Sequence, residues 1–140
     1  MYEFIQKFHS GWAYLAILVL VIAVVNSFIG KSSQKEFIAK DRKIALFALI
    51  GTHIQLLVGL VLYFVSPLGS AVFGQMKNEA YRLTSLEHPL INIIAIVLIT
   101  IGWSKHKKAA TSEAKFKYIA IFYGLGLVLI LSRIPWSLWF

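Results

Sequence analysis

The chain has no cysteine among its 140 residues. That absence excludes disulfides, thiolate-held iron–sulfur clusters and covalent attachment of haem through a Cys-x-x-Cys-His motif. Charge is scarce too, at 14% of residues, and only six residues are acidic. No glycine-rich phosphate loop, Gly-x-Ser-x-Gly elbow or His-Glu-x-x-His zinc helix occurs. Internal repeats of 20 to 50 residues, low-complexity tracts and Gly/Ser linkers are missing as well. Any chemistry must come from the few polar residues set inside apolar runs.

Those runs are the dominant feature. The composition is 59% hydrophobic, with apolar stretches at 12–30, 44–65, 90–103 and 118–136, and mean hydropathy is strongly positive. A span needs roughly 20 apolar residues to cross about 30 Å of hydrocarbon, so the solvent is a lipid bilayer. The first run is too long for the apolar core of a signal peptide and lacks a small-x-small cleavage site after it, so it reads as a helix of the mature protein. The expected fold is all-α: a single domain over residues 1–140, a four-transmembrane-helix up-and-down bundle with helices near 4–30, 40–66, 79–105 and 114–136.

Ten of the fourteen basic residues lie in two short connections, "KSSQKEFIAKDRK" and "SKHKKAATSEAKFK". Positive residues favour the cytoplasmic side. Loops 31–43 and 104–117 are therefore expected in the cytoplasm, with both termini and the 66–82 connection outside, in the periplasm of a bacterial inner membrane. The net charge of +8 follows from topology and anionic lipid rather than from a nucleic-acid partner. Trp12, Tyr14, Trp103, Trp136, Trp139 and Phe140 supply interfacial anchors.

The third run, 14 residues over 90–103, would reach only about 21 Å and is too short to span. It must recruit the preceding "YRLTSLEHP", which draws Glu87 and His88 below the surface. Pro89 then falls in the second or third turn, where its ring displaces the Ser85 carbonyl and bends the helix. The bend aims His88 inward. His53 lies near the bilayer centre in "LIGTHIQLLVGLVLYF", and an ionisable residue at that depth is by default functional. Its face reads Leu46, Leu49, Ile50, His53, Leu57, Leu60 and Phe64, an apolar stripe suited to a flat apolar ligand. His9 opens the first helix, on a face continued by Ala13, Ala16, Leu20, Ala23 and Ser27, where small residues permit close packing or leave room for a cofactor. His106, in "SKHKKA", reads as a solvated loop residue.

Imidazoles inside a four-helix bundle without cysteine point most economically to one non-covalent haem b held by two histidines from facing helices. Its propionates need cations near the outer surface, where Arg133 and Arg82 stand. Gly124 and Gly126 near Arg133 allow a ring edge or a helix to come close.

"FHSGW" opening helix one, "HIQLLVGLVLYFVSP" in helix two, "LEHPL" opening helix three and "IPW" closing helix four run nearly end to end along the chain. In these the sequence resembles small four-helix membrane proteins of the b-type cytochrome kind, related in style to larger haem-carrying cytochrome b bundles. The resemblance implies His9, His53 and His88 as the haem and metal ligands. Helix four carries no histidine, so at most one bis-histidine site is complete.

Counted from the cytoplasmic ends, His53 sits at about 14 Å, His88 at about 22 Å and His9 at about 31 Å. A ring spanning the core prefers diagonal helices, favouring His9 with His88; depth favours His53 with His88. The sequence leaves that choice open. Gln55, Asn92 and Glu87 are the expected polar neighbours of the ligands. The expected function is one-electron transfer to or from the quinone pool, with other respiratory membrane proteins as partners. Two alternatives stand beside it: a transition-metal or proton transporter using His9, Glu87 and His88, and a structural subunit of a larger membrane complex.

Overall fold

The computed structural model describes residues 1–139. Four long helices, α1 (Tyr2–Ser32), α2 (Ala39–Val65), α3 (Glu79–Lys108) and α4 (Ser112–Ser132), are each long and apolar enough to cross a membrane. A short α5 (Trp136–Trp139) closes the described chain. Helix α1 packs on α2 and α4, and α3 packs on the same two, so α1 and α3 face each other across the diagonal of an up-and-down bundle. The expected all-α bundle of four long apolar helices is thus observed. Phe140 and the side chain of Trp139, both expected as anchors, lie outside the described residues.

The helix ends follow local chemistry. Gln34 takes a left-handed backbone with φ of 55°, and Lys35 N–H donates to the Gly30 carbonyl at 3.2 Å, ending α1. Asp41 starts α2: its carboxylate accepts from the Ile38 N–H at 3.0 Å, from Asn26 at 3.0 Å and from Lys35 at 2.8 Å. This carboxylate is buried, which three donors make tolerable. Thr111 caps α4 by accepting from the Ala114 N–H at 3.1 Å.

An apolar core closes the half of the bundle toward the basic loops, apart from a cavity at its rim, and the other end is open. Leu20, Ala23, Ala45, Ala48, Ala95, Ile99, Ile119 and Tyr123 form the core. The four alanines among them let helices approach closely, which, rather than escape from water, drives association within lipid. Large apolar side chains such as Leu18, Phe47, Leu57, Phe64, Val97 and Val128 face outward, the surface that a bilayer requires.

Two sequence expectations are corrected here. The apolar stripe through His53 was expected to face a ligand, but Ile50, Leu57 and Phe64 on it are exposed to lipid. The inward face of α2 is Ala45, Ala48 and Thr52, then Gln55 and Gly59. The stripe reading failed because the buried face of a lipid-surrounded helix is its small and polar face, not its most apolar one. His106 was expected in solvent; it is 2% exposed in the last turn of α3. Its Nδ1–H donates to the Trp103 carbonyl at 2.6 Å, and its ring lies 4.5 Å from that of Trp103 and 5.5 Å from that of Phe37.

Gly126 sets the distance between α3 and α4. A Cβ there would stand 2.7 Å from Ile99 Cγ1 and 3.1 Å from the Ala95 carbonyl oxygen. Gly126→Val is expected to lower stability by about 1–3 kcal/mol through overpacking. The check is the midpoint of detergent-induced unfolding followed by circular dichroism. An unchanged midpoint would show that the two helices are not held this closely.

Candidate functional site

The open end holds a cavity of about 220 Å³ lined from all four long helices and from the chain beyond α4. Its α1 wall includes His9, Ala13, Ala16 and Leu20, on the small-residue face for which the sequence allowed either close packing or room for a cofactor. Thr52, Gln55 and Gly59 come from α2, and His88, Asn92 and Ile96 from α3. Ile130, Ile134 and Pro135 close it from the α4 side. The lining is mostly apolar with a few placed polar groups, as is usual for small-ligand sites.

His88 owes its position to an irregularity in α3. Residues Leu83–Glu87 form a π-helical turn, and the His88 N–H donates to the carbonyl of Leu83, five residues back. The wide turn ends two residues before Pro89, which has no N–H and whose ring would strike the Ser85 carbonyl in a regular helix. The predicted distortion is therefore present, as an expanded turn. It buries Ser85, whose hydroxyl has no hydrogen-bond partner among the described residues, and it directs His88 to the cavity.

The ring centroids of His9 and His88 are 6.2 Å apart and the planes cross at 86°. The 9 Å axial offset expected from the sequence is smaller here because α3 runs on to Lys108. Counted from Ser32 and Lys108, His9 and His88 differ by three residues, about 5 Å along the axes, which helix tilt absorbs.

His88 Nδ1 has two polar neighbours, the Arg133 backbone oxygen and, at 3.2 Å, Asn92 Nδ2; the shorter contact, to the carbonyl, is taken as the hydrogen bond. His88 Nδ1 lies 3.0 Å from the backbone oxygen of Arg133. A carbonyl can only accept, so Nδ1 carries the proton and the Nε2 lone pair is free. Asn92, one turn on, donates to the His88 carbonyl at 2.6 Å and braces that turn. His9 is held through its backbone, whose carbonyl accepts from Gln55 Nε2 at 2.8 Å. Its own Nδ1 is buried without a partner, as is Gln55 Oε1. Gly59 leaves room for the ring: a Cβ there would be 3.1 Å from His9 Cε1. Trp12, expected only as an anchor, donates its indole N–H to the Gly51 carbonyl at 2.8 Å and ties α1 to α2 beside this site.

His53 is elsewhere. Its Nδ1–H donates to the Leu49 carbonyl at 2.7 Å and its Nε2 lies 3.3 Å from the Thr100 hydroxyl. It does not line the cavity. Counted from Ala39, it sits six residues, about 9 Å, below the level of His88.

Near the cavity mouth Glu87 lies between two guanidinium groups. Arg82 Nε donates to Oε2 at 2.9 Å, and Arg133 Nε lies 3.5 Å from Oε1. Of the roles open to Glu87, pairing with arginine is the one seen. The cluster carries one net positive charge. Gly126 serves helix packing, and Gly124 makes only an ordinary contact with Val24.

Sequence reasoning missed Gly59, Thr52 and the Ile134–Pro135 cover. Nothing in local pattern separates a glycine under an imidazole from any other helical glycine. No family model matches the chain, and no curated protein or solved structure matches it.

Proposed function

We propose that this is a membrane-embedded b-type cytochrome, binding one haem b through His9 and His88 and passing single electrons to or from the lipid quinone pool. The observation that carries the reading is the diagonal pair of imidazoles on one cavity, 6.2 Å apart. His9 and His88 would hold the group between them, one from α1 and one from α3.

The residues present fit that group. His88 has its Nδ1–H committed to a carbonyl, the usual arrangement behind a ligating imidazole. His9 has an unused buried nitrogen and a glycine beneath it. The net positive Arg82–Glu87–Arg133 cluster complements acidic propionates. A bound haem b would supply reversible one-electron chemistry, tuned by burial and by the hydrogen bonds to its ligands. Ala13, Ala16, Leu20 and Ile96 would exclude water from it. The void is smaller than the 300–1,000 Å³ or so of typical ligand sites, so admitting a macrocycle requires the α2–α3 seam, less intimately packed than the other three, to open.

The transporter alternative loses support on the same ground. Among the described residues no three His, Cys, Asp or Glu side chains gather where they could hold a metal ion, and Glu87 is engaged by arginines. Two imidazoles would suit a haem better than a bare metal ion, which needs more ligands from the protein. The resemblance of "FHSGW" and "LEHPL" to small b-type cytochromes points the same way. The basic loops support placing both termini on the periplasmic side of a bacterial inner membrane.

The test is a reduced-minus-oxidised absorbance spectrum of the detergent-purified protein supplied with haem. Sharp low-spin b-type bands at one haem per chain are expected, and a short-chain quinol should develop them. No bands at any haem ratio would overturn the proposal.

A further inference from the structure

A second cavity, of about 350 Å³, lies at the basic end of the bundle, far from the imidazole pair. Phe37, Ile38, Ala39 and Arg42 line it from the α1–α2 connection and the start of α2, His106 and Lys107 from the end of α3, and Lys115 from α4. Three of its seven lining residues are cations: Arg42, Lys107 and Lys115. Among the described residues none of the three stands within ion-pair distance of a carboxylate. The nearest buried acid, Asp41, is taken up by Lys35, Asn26 and the Ile38 N–H. Glu36 and Glu113 are exposed.

The cavity is built, not a chance gathering of surface lysines. The Phe37 N–H donates to Ser112 Oγ at 2.9 Å, pinning the α1–α2 connection to the start of α4. Arg42 lies over the Trp103 ring at 5.5 Å and Lys115 over the Phe37 ring at 5.8 Å, so two of the cations are held by aromatic faces. The buried His106 ring forms part of the floor. Ile38 and Ala39, at the N-terminus of a 27-residue helix, bring the positive end of its dipole to the same space. Uncompensated positive charge, fixed in a cavity at the level of the membrane surface, calls for an anion.

We propose that this cavity binds a phosphate group, either that of an anionic lipid headgroup or that of a soluble phosphate compound. Arginine and lysine are the residues of choice for phosphate oxygens, and basic pockets between transmembrane helices on the cytoplasmic side suit lipid headgroups.

Thermal unfolding of the full chain in detergent tests this, with phosphatidylglycerol, phosphatidylcholine or inorganic phosphate as the added probe. Each variant is compared with its own unliganded midpoint. Phosphatidylglycerol is expected to raise the wild-type midpoint and phosphatidylcholine to leave it. Arg42→Gln/Lys115→Gln should weaken the apparent affinity about thirtyfold, at about fivefold per cation lost near the surface. Lys43→Gln/Lys108→Gln, with the same change in charge outside the cavity, should keep the shift. If the first double variant does not fold, Lys107→Gln/Lys115→Gln takes its place. A midpoint raised equally by inorganic phosphate, and lost in the same variants, would assign the site to a soluble phosphate compound. No shift with either probe, or equal weakening in the cavity and control variants, overturns the proposal.

Discussion

His9→Ala and His88→Ala should each abolish the low-spin haem spectrum, while His53→Ala should leave it intact. The two lost ligands are those whose rings share the cavity at 6.2 Å. His53 spends both ring nitrogens on Leu49 and Thr100 and faces away from that space. Its replacement removes one hydrogen bond within α2 and one to α3, a loss of about 1 kcal/mol each in stability, not a ligand. Arg82→Gln is the graded member of the set. It removes one guanidinium from Glu87 and should shift the haem potential or loosen binding without erasing the spectrum, since it touches no ligating nitrogen. Absorbance of the four purified variants at matched haem loading reads all of these outcomes. Loss of the bands in His53→Ala with retention in His9→Ala would move the site one level deeper and refute the pairing argued from the cavity.

Much of this arrangement was legible in the sequence, and the exceptions have physical causes. Four spans followed from run length, and the need of the third run for extra residues located the distorted turn before His88. The small-residue face of α1 was read correctly because Ala13, Ala16, Leu20 and Ala23 mark a buried face in lipid as they would in water. The α2 face was misread by the rule that apolar means inward, which holds where water is the outside solvent and fails where lipid is. His106 was misread because "SKHKKA" is polar on every side. Its burial depends on Phe37 and Trp103, which only the folded chain brings together. Whether His9 or His53 lies level with His88 turned on where α3 ends, and helix boundaries are weakly encoded in a lysine-rich stretch that tolerates three further residues of helix.

Tyr123→Ala is expected to be the most destabilising core substitution, at about 3–5 kcal/mol, with Tyr123→Phe costing about 1–2 kcal/mol. Tyr123 heads the largest fully buried side chains, and its hydroxyl donates to the Ala45 carbonyl at 2.8 Å across the α2–α4 diagonal. Phenylalanine keeps the packing and strands one buried acceptor. Alanine leaves a void in the cluster of Leu20, Ala48, Ile99 and Ile119, which close-packed helices refill only in part. The magnitude also discriminates between environments. In lipid no transfer from water is lost, so the cost comes from forfeited packing and from the cavity, and it should fall near the lower end of that range. Detergent-induced unfolding of the two variants beside the wild type measures both values. A phenylalanine variant as damaged as the alanine one would make the hydroxyl, rather than the ring, the element that holds α4 to α2. The closed half would then be specified by one interhelical hydrogen bond instead of by the fit of small residues around a large one.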